Sequence, residues 1–272
     1  MPNQVPPQTS SPSPAPQDAP GHAPAIHLHA ATLRYGGRVV FDALDLELPG
    51  GRTTCLLGPS GVGKTSLLRL IAGLAPDTQG DVIDEAGRPL VGRIAYLAQR
   101  DLLLPWLSVL GNVTLGCRLR GEALGVATKA RARALIERVG LAERAKDRPA
   151  QLSGGERQRV ALARTLMENR PVVLMDEPFS ALDAITRFEL QALAAELLAG
   201  RTVLLVTHDP LEALRIGHRV QVMAQDSAGS PARLDAALEP AGAPPRDLTD
   251  PALLALQAEL LEHLSRAKEA AA

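Results

Sequence analysis

The chain has 272 residues, of which 46% are hydrophobic, so it can bury a core in one large domain or two small ones. Its formal net charge of -1 argues against nucleic acid or an anionic membrane surface as the main partner, since both favour an excess of Lys and Arg. No apolar stretch approaches the roughly 18 residues of a membrane-spanning helix, so we expect any membrane attachment to go through another protein. Two cysteines, Cys55 and Cys117, form no disulfide framework and indicate a reducing compartment.

Three segments differ in composition. Residues 1–25 are rich in Pro, Ser, Gln and Ala, which predicts a disordered extension. Residues 26–226 carry the alternating and continuous apolar runs of a folded domain. Residues 227–272 predict a loop followed by a helix, with Asp250 as its N-cap and Pro251 at its first position.

Within the folded part, short apolar runs alternate with amphipathic ones. This rhythm is typical of a parallel sheet with helices on both faces. Between about residues 100 and 168 the pattern becomes helical, which predicts an all-helical insertion between two halves of an α/β core.

Residues 58–65 match the spacing G-x-x-x-x-G-K-[ST], between a run that predicts a strand and one that predicts a helix. Three glycines let the backbone curl so that successive N–H groups face a phosphate at the positive end of the helix. Lys64 would reach the β- and γ-phosphates and act in catalysis, and the Thr65 hydroxyl would bind Mg²⁺. A glycine turn that only joins strand to helix is the alternative, but it requires neither Lys nor Thr. The nucleotide-binding residues predicted here are Gly58, Pro59, Ser60, Gly61, Val62, Gly63, Lys64, Thr65 and Ser66.

Two carboxylates, Asp176 and Glu177, follow the apolar run 172–175. They would lie at the carboxyl end of a buried strand, where ligands of open α/β sheets bind. Asp176 suits Mg²⁺ binding opposite Thr65. Because side chains alternate along a strand, we expect Glu177 to point elsewhere, toward the attacking water, as general base. A solvent-facing acidic strand end is the alternative for the pair taken alone.

Two further polar residues follow predicted strands. His208 comes after the strand 202–206, and we predict that it senses the γ-phosphate, although a lone His is more often structural. Gln99 ends another strand and would reach Mg²⁺ or the attacking water. Both are catalytic candidates because the carboxyl ends of parallel strands meet at one edge of the sheet.

A second anion-binding feature begins at Ser153. Ser153 and Glu156 have the spacing of a capping box, and Gly154 and Gly155 leave backbone N–H groups uncovered at the helix start. Simple capping is the alternative, and it does not explain the paired glycines. The chain thus has two anion cradles, the phosphate loop and this helix start. This suggests that the second cradle closes over the ATP of another copy.

Together these motifs resemble, in the family's order, the Walker A, Q-loop, signature, Walker B, D-loop and H-loop of ABC-transporter ATPase subunits, over about residues 26–224. The resemblance implies an α/β fold of the P-loop NTPase class, with a parallel sheet, a small antiparallel β subdomain and an inserted helical subdomain. It also implies that Tyr35 stacks on adenine, with a core tyrosine as the alternative. Asp183, in the D-loop, would contact the dimer interface.

The family pattern further implies a head-to-tail dimer that encloses two ATP molecules with Mg²⁺. Its partners would be a second copy of the chain, permease subunits and, indirectly, a substrate-binding protein, with no nucleic acid. The subunit would be peripheral, on the cytoplasmic side of the inner membrane. Segments 102–106, which contains Trp106, and 183–187 are similar to ATPases that import nitrate, sulfonate, taurine or the pyrimidine precursor of thiamine. Trp106 would contact the permease or, alternatively, pack locally.

Two other functions remain open at this point. An exporter ATPase shares the same motifs. A soluble ABC-type ATPase for ribosome or DNA-repair work usually has two cassettes or long coiled coils, whereas this chain has one cassette and no sustained heptads. The transported solute cannot be derived from this chain, because it would pass through the permease.

Overall fold

A computed structural model describes residues 23–271, so most of the predicted extension lies outside the described residues. The packed part begins before Ile26, because Ala23 and Pro24 are buried and the Thr202 hydroxyl donates a 2.6 Å hydrogen bond to the Pro24 carbonyl. The strands are β1 (Ile26–Tyr35), β2 (Arg38–Leu48), β3 (Thr53–Leu57), β4 (Thr78–Asp84), β5 (Ile94–Leu97), β6 (Val172–Asp176), β7 (Thr202–Val206), β8 (Arg219–Gln225) and β9 (Ala232–Leu234). The helices are α1 (Lys64–Ile71), α2 (Val109–Val113), α3 (Leu115–Leu119), α4 (Val126–Arg138), α5 (Gly154–Met167), α6 (Ala184–Leu197), α7 (Pro210–Ile216) and α8 (Pro251–Ala270).

The main sheet has the order β5-β6-β7-β3-β8-β9. Its first five strands are parallel, and β9 is antiparallel to β8. Every residue of β6 and β7 is buried, which explains their continuous apolar runs. The predicted parallel sheet is confirmed.

The two faces of this sheet carry different layers. Leu174 and Leu204 pack on the face of α1 and the antiparallel sheet, whereas Val173 and Leu205 pack on the opposite face with α5 to α8. The helices α1 and α5 therefore lie on opposite faces of the sheet, because side chains alternate along each strand.

A three-stranded antiparallel sheet, of order β2-β1-β4, covers the α1 side. Its end is tied to β5 by the buried Asp84 carboxylate, which accepts hydrogen bonds from Arg93 Nη1 at 2.7 Å and Arg88 Nε at 2.8 Å. Burial raises the pKa of Asp84, but hydrogen bonds from Arg88, Arg93 and the Ala86 amide outweigh it and hold the pKa at about 2. This sheet is the antiparallel subdomain that the family resemblance implies.

The helical insertion has its own core. Val113, Ile136 and Val160 from α2, α4 and α5 pack together away from the main sheet. Buried Asn112 joins this core to the preceding loop, because its side chain accepts from the Leu104 amide at 2.8 Å and donates to the Leu104 carbonyl at 3.2 Å. The loop that follows β5 is thereby held by the insertion.

The C-terminal part contains a strand that the sequence did not predict. Residues 232–234 form β9, where the pattern predicted a Gly/Ala/Pro-rich loop, because pairing with β8 supplies the order that local propensity lacks. The helix α8 begins as predicted, with the Asp250 side chain accepting from the Ala252 amide at 2.9 Å. It buries Leu253, Leu260 and Ala267, which lie on one stripe. Within residues 23–271, no helix combines the length and apolarity needed to cross a membrane.

Candidate nucleotide-binding site

The phosphate loop joins β3 to α1, and its three glycines, Gly58, Gly61 and Gly63, all have left-handed backbone. Gly58 has φ 150° and Gly63 has φ 116°. A Cβ atom at Gly58 would lie 2.3 Å from the Met223 carbonyl oxygen, and one at Gly63 would lie 2.7 Å from Val40 Cγ1. Only glycine meets both requirements, so these positions fix the loop around the start of α1.

Lys64 closes the loop on itself. Its ammonium group donates to the Gly58 carbonyl at 2.7 Å and to the Pro59 carbonyl at 2.8 Å. Burial lowers the pKa of Lys64, and the carboxylates of Glu177 and Asp176 oppose this shift. A phosphate in the loop would offer Lys64 charged acceptors in place of the two carbonyls.

Thr65 and Asp176 lie together at the carboxyl edge of the sheet. The Thr65 hydroxyl donates to Asp176 Oδ1 at 3.2 Å. Burial raises the pKa of Asp176, and the hydrogen bond from Thr65 opposes it. A hydroxyl and one carboxylate are hard oxygen ligands that fit Mg²⁺, which is usually bound by few protein groups plus substrate phosphates. No cluster of three or more His, Cys, Asp or Glu able to hold a metal occurs within residues 23–271.

Glu177 contacts the side chains of two other predicted residues. Its Oε2 atom accepts a hydrogen bond from Gln99 Nε2 at 3.2 Å and lies 3.4 Å from His208 Nδ1. We expected side-chain alternation along the strand to set the direction of the Glu177 side chain, and this explanation is wrong. The strand β6 ends at Asp176, and Glu177 turns away because its backbone is left-handed, with φ 47°, while its amide bonds to the Val206 carbonyl. A non-glycine residue in this conformation is strained, as often happens at functional sites.

The second cradle is a capped helix start. The Ser153 hydroxyl accepts from the Glu156 amide at 3.2 Å, and Glu156 accepts from the Ser153 amide at 2.7 Å, which confirms the capping box. Ser153 and Gly154 are exposed. Gly155 is close to Leu182, since a Cβ atom there would lie 3.3 Å from its side chain. The cradle therefore faces solvent at the start of α5, on the sheet face opposite α1.

Asp183 and Tyr35 are both exposed. Asp183 caps α6, accepting from the Thr186 amide at 3.0 Å, and this helix-start bond lowers the pKa of its carboxyl. Tyr35 ends β1 and is 71% exposed, which rules out the core alternative and leaves its ring free to stack.

A groove of about 620 Å³ borders Gln99 and the signature segment. Its wall includes Leu102 to Leu104 and Gly154. Arg164 of α5 fixes this wall by donating to the carbonyls of Asp101 at 2.6 Å and Leu102 at 2.8 Å. Trp106, in the loop that follows, is 66% exposed, so local core packing is not its role.

Sequence reasoning missed Glu212 and Arg187. Both line a small space beside Glu177, Thr207 and His208. Glu212 lies in the short helix α7, which begins after His208, and nothing in its local sequence pattern distinguishes it from a surface residue. Its burial comes from tertiary packing, since α7 packs against β3, α6 and α8.

Comparison with known proteins identifies the family. A sequence model described as "ABC transporter" matches residues 41–180. The chain belongs to the ABC transporter family. It is an ATP-hydrolysing cassette of that family, with ATP as substrate and Mg²⁺ as cofactor.

Relatives of this ABC cassette cover most of its length. An uncharacterized ABC transporter ATP-binding protein of Haemophilus influenzae is 46% identical over 88% of the chain and 98% of the relative. An aliphatic sulfonates import ATP-binding protein of Rhodococcus jostii is 45% identical over 87% of the chain and 92% of the relative. A solved dimeric ATP-binding cassette in a post-hydrolysis state, bound to ADP and Pi, is 30% identical with a TM-score of 0.70, over 80% of this chain and 99% of that one. The ABC ATPase fold is thus confirmed.

Proposed function

We propose that this chain is the ATP-hydrolysing subunit of an importer for aliphatic sulfonates or a similarly small solute. The observation that carries the proposal is that α1, which follows the phosphate loop, and α5, which begins with two glycines, pack on opposite faces of one sheet. A single ATP at the loop of α1 cannot also meet the start of α5 in the same chain. A second copy of the chain, bound head to tail, would supply the start of α5 that this ATP contacts. The dimeric cassette and the sulfonate-import relatives support this arrangement.

Each predicted residue then has a defined task. Glu177 accepts a proton from the attacking water, while Gln99 and His208 hold its carboxylate. Lys64 moves from the loop carbonyls to the phosphates, and the helix start at Ser153 to Gly155 of the other copy binds the γ-phosphate through its uncovered Gly154 and Gly155 amides. Thr65 and Asp176 would hold Mg²⁺, with Gln99 beside them, and the ion would neutralise phosphate charge.

The transport partners follow from the exposed surface. The groove beside Gln99, with Leu102 and Trp106, would receive a segment of a separate permease, on the cytoplasmic side of the inner membrane. Arg164 connects that groove to α5, so permease movement and signature movement would be coupled. A substrate-binding protein would act indirectly, through the permease.

The experiment is reconstitution in liposomes with the permease and binding protein that co-purify with the chain. We expect ATP hydrolysis to rise when the binding protein carries an alkyl sulfonate, and labelled sulfonate to enter the vesicles. Nitrate, taurine and the thiamine pyrimidine precursor are parallel test solutes. Stimulation by one of these alone would correct the solute and leave the importer assignment intact.

Two results would contradict the import function. Stimulation by a solute inside the vesicles, without any binding protein, would favour an exporter. Full activity without a permease, together with failure to co-purify any membrane protein, would favour a soluble ABC-type ATPase.

A further inference from the structure

A small polar cavity lies behind the Glu177–His208 pair. It has about 10 Å³ of room, close to the minimum for one water molecule. The residues that line it are all polar or charged: Glu177, Ser180, Arg187, Thr207, His208, Asp209 and Glu212. A cavity of this size and polarity suits a buried water, which needs two to four polar partners.

Two lining residues carry buried atoms without hydrogen-bond partners among the described residues. Glu212 is 4% exposed, and its Oε2 atom accepts from Gln191 Nε2 at 3.1 Å, but its Oε1 atom has no partner. Arg187 donates from Nη2 to the Leu182 carbonyl at 2.9 Å, while its buried Nε–H has no partner. Buried polar groups are nearly always paired with protein or ordered water, so both atoms point to a missing bridging group.

We infer that one water molecule binds in this cavity and links Glu212 to the Glu177–His208 pair, so that Glu212 is a positioning residue for hydrolysis. The water accepts from Arg187 Nε–H and donates one hydrogen to Glu212 Oε1. Its second hydrogen is available to an acceptor on the Glu177 side of the cavity. This inference rests on the proposed role of Glu177 as base.

The surroundings of Glu212 make its charge variable. Burial raises the pKa of Glu212 to about 7, and the Asp209 carboxylate adds to the rise, against the hydrogen bond from Gln191 and the Arg187 cation. Both protonation states therefore occur near neutral pH.

The other elements that pack around α7 contribute further groups. Cys55 of β3 faces Glu212 as a buried thiol, and burial raises its pKa well above the usual range. Arg215, on α7 itself, donates to Gln191 Oε1 at 2.8 Å. Arg246, in the loop before α8, donates to carbonyls at the far end of α7, at Leu214 and Gly217.

A charged Glu212 changes the chemistry next to it. Its negative charge favours proton transfer to Glu177, because both residues line the same small cavity, which bulk water does not screen. A neutral Glu212 reverses the direction of its hydrogen bond with the water. Hydrolysis should therefore speed up as Glu212 loses its proton.

The test compares Glu212→Gln with the wild-type chain at saturating Mg²⁺ and ATP across pH 6 to 8, a window about the expected titration. The matched control is Glu189→Gln, which removes an exposed carboxylate from α6. We expect a severalfold rise of kcat with pH in the wild type and in the control, and a clearly smaller rise in Glu212→Gln. The same pH profile in all three proteins would overturn the inference. An equal loss of kcat at every pH, with earlier thermal unfolding, would also overturn it, since it would mean a purely structural role.

The pH dependence of the free energy of unfolding reports on the Glu212 carboxyl without requiring ATP hydrolysis. Unfolded, it titrates near 4.5, and folded near 7, so between these values the unfolded chain loses the proton first. The free energy of unfolding should fall as pH rises through this window, and the fall should be absent in Glu212→Gln. If that variant does not fold, an experimental electron-density map of the wild-type chain decides: a solvent peak bonded to Glu212 Oε1 supports the water site, and a cavity without one refutes it.

The base assignment is tested separately. If Glu177→Gln hydrolyses ATP normally, the proposed function of Glu177 fails, and the role of Glu212 fails with it. If Glu177→Gln is inactive while Glu212→Gln keeps the wild-type pH profile, only the inference about Glu212 fails.

Discussion

Single residues at the carboxyl edge of the sheet set the chemistry of this cassette. Glu177 owes its position to a left-handed backbone immediately after β6, rather than to strand alternation. That conformation brings its carboxylate to Gln99 and His208, which come from the ends of two other strands. The strain is offset by the bond from the Glu177 amide to the Val206 carbonyl at 2.9 Å.

Replacing Glu177 tests the base at this scale. In Glu177→Gln the side chain keeps its shape and can still bond to Gln99 after an amide flip, but it cannot accept a proton. We expect kcat to fall by about 10²- to 10⁴-fold, ATP to bind as before, and the ATP-bound dimer to persist. Measured ATP affinity, phosphate release and size-exclusion profiles check this, with Glu189→Gln as control. Unchanged phosphate release would exclude Glu177 as base.

At the scale of elements, α5 connects the parts of the site. Its start is the capped signature segment, and Gln158 donates to the Pro178 carbonyl at 2.9 Å just beyond β6. Arg157 and Arg164 bind the loop after Gln99, Arg157 through Asp101 Oδ2 at 3.1 Å. Movement of this helix would therefore change the Q-loop and the Glu177 region together. The next helix along the chain is α6, which follows β6 and is capped by Asp183.

Asp183 allows capping and interface roles to be separated. Asp183→Ala should lower the free energy of unfolding through loss of the N-cap, whereas Asp183→Asn should keep it because Asn caps equally well. If Asp183 also acts across a dimer interface, Asp183→Asn should reduce hydrolysis without reducing stability. Urea unfolding and phosphate release distinguish the two. Equal stability of all three proteins would show that the cap contributes little.

At the scale of the whole molecule, one chain carries two half-sites. The helices α1 and α5, whose starts form these half-sites, pack on opposite faces of the main sheet, so a monomer should bind ATP but hydrolyse it slowly. Rapid hydrolysis by a proven monomer would contradict the composite site. A two-fold symmetric dimer would form two such sites, each from both copies.

Mixing two defective variants tests this geometry. Lys64→Ala weakens the phosphate loop, and Gly154→Asp places a negative charge in the second cradle, where the nearest atom to an added Cβ is 3.8 Å away, so the fold should tolerate it. Each variant alone should be nearly inactive. A mixed dimer places both defects in one site and leaves the other intact, so hydrolysis should rise on mixing. No rise, despite mixed dimers detected by mass spectrometry, would contradict the arrangement.

The sequence by itself determined the local chemistry: the glycine loop at 58–63, the capping box of Ser153 and Glu156, the N-cap at Asp250 and the buried runs of a parallel sheet. These depend on spacing within a few residues, which backbone sterics and capping translate directly into structure. Only the tertiary structure decided that Gln99 and His208 both contact Glu177 and that α1 and α5 pack on opposite faces of the sheet. It also decided that residues 232–234 form a strand and that Glu212 is buried. Those outcomes depend on strand order and on packing between distant segments, which no local pattern encodes.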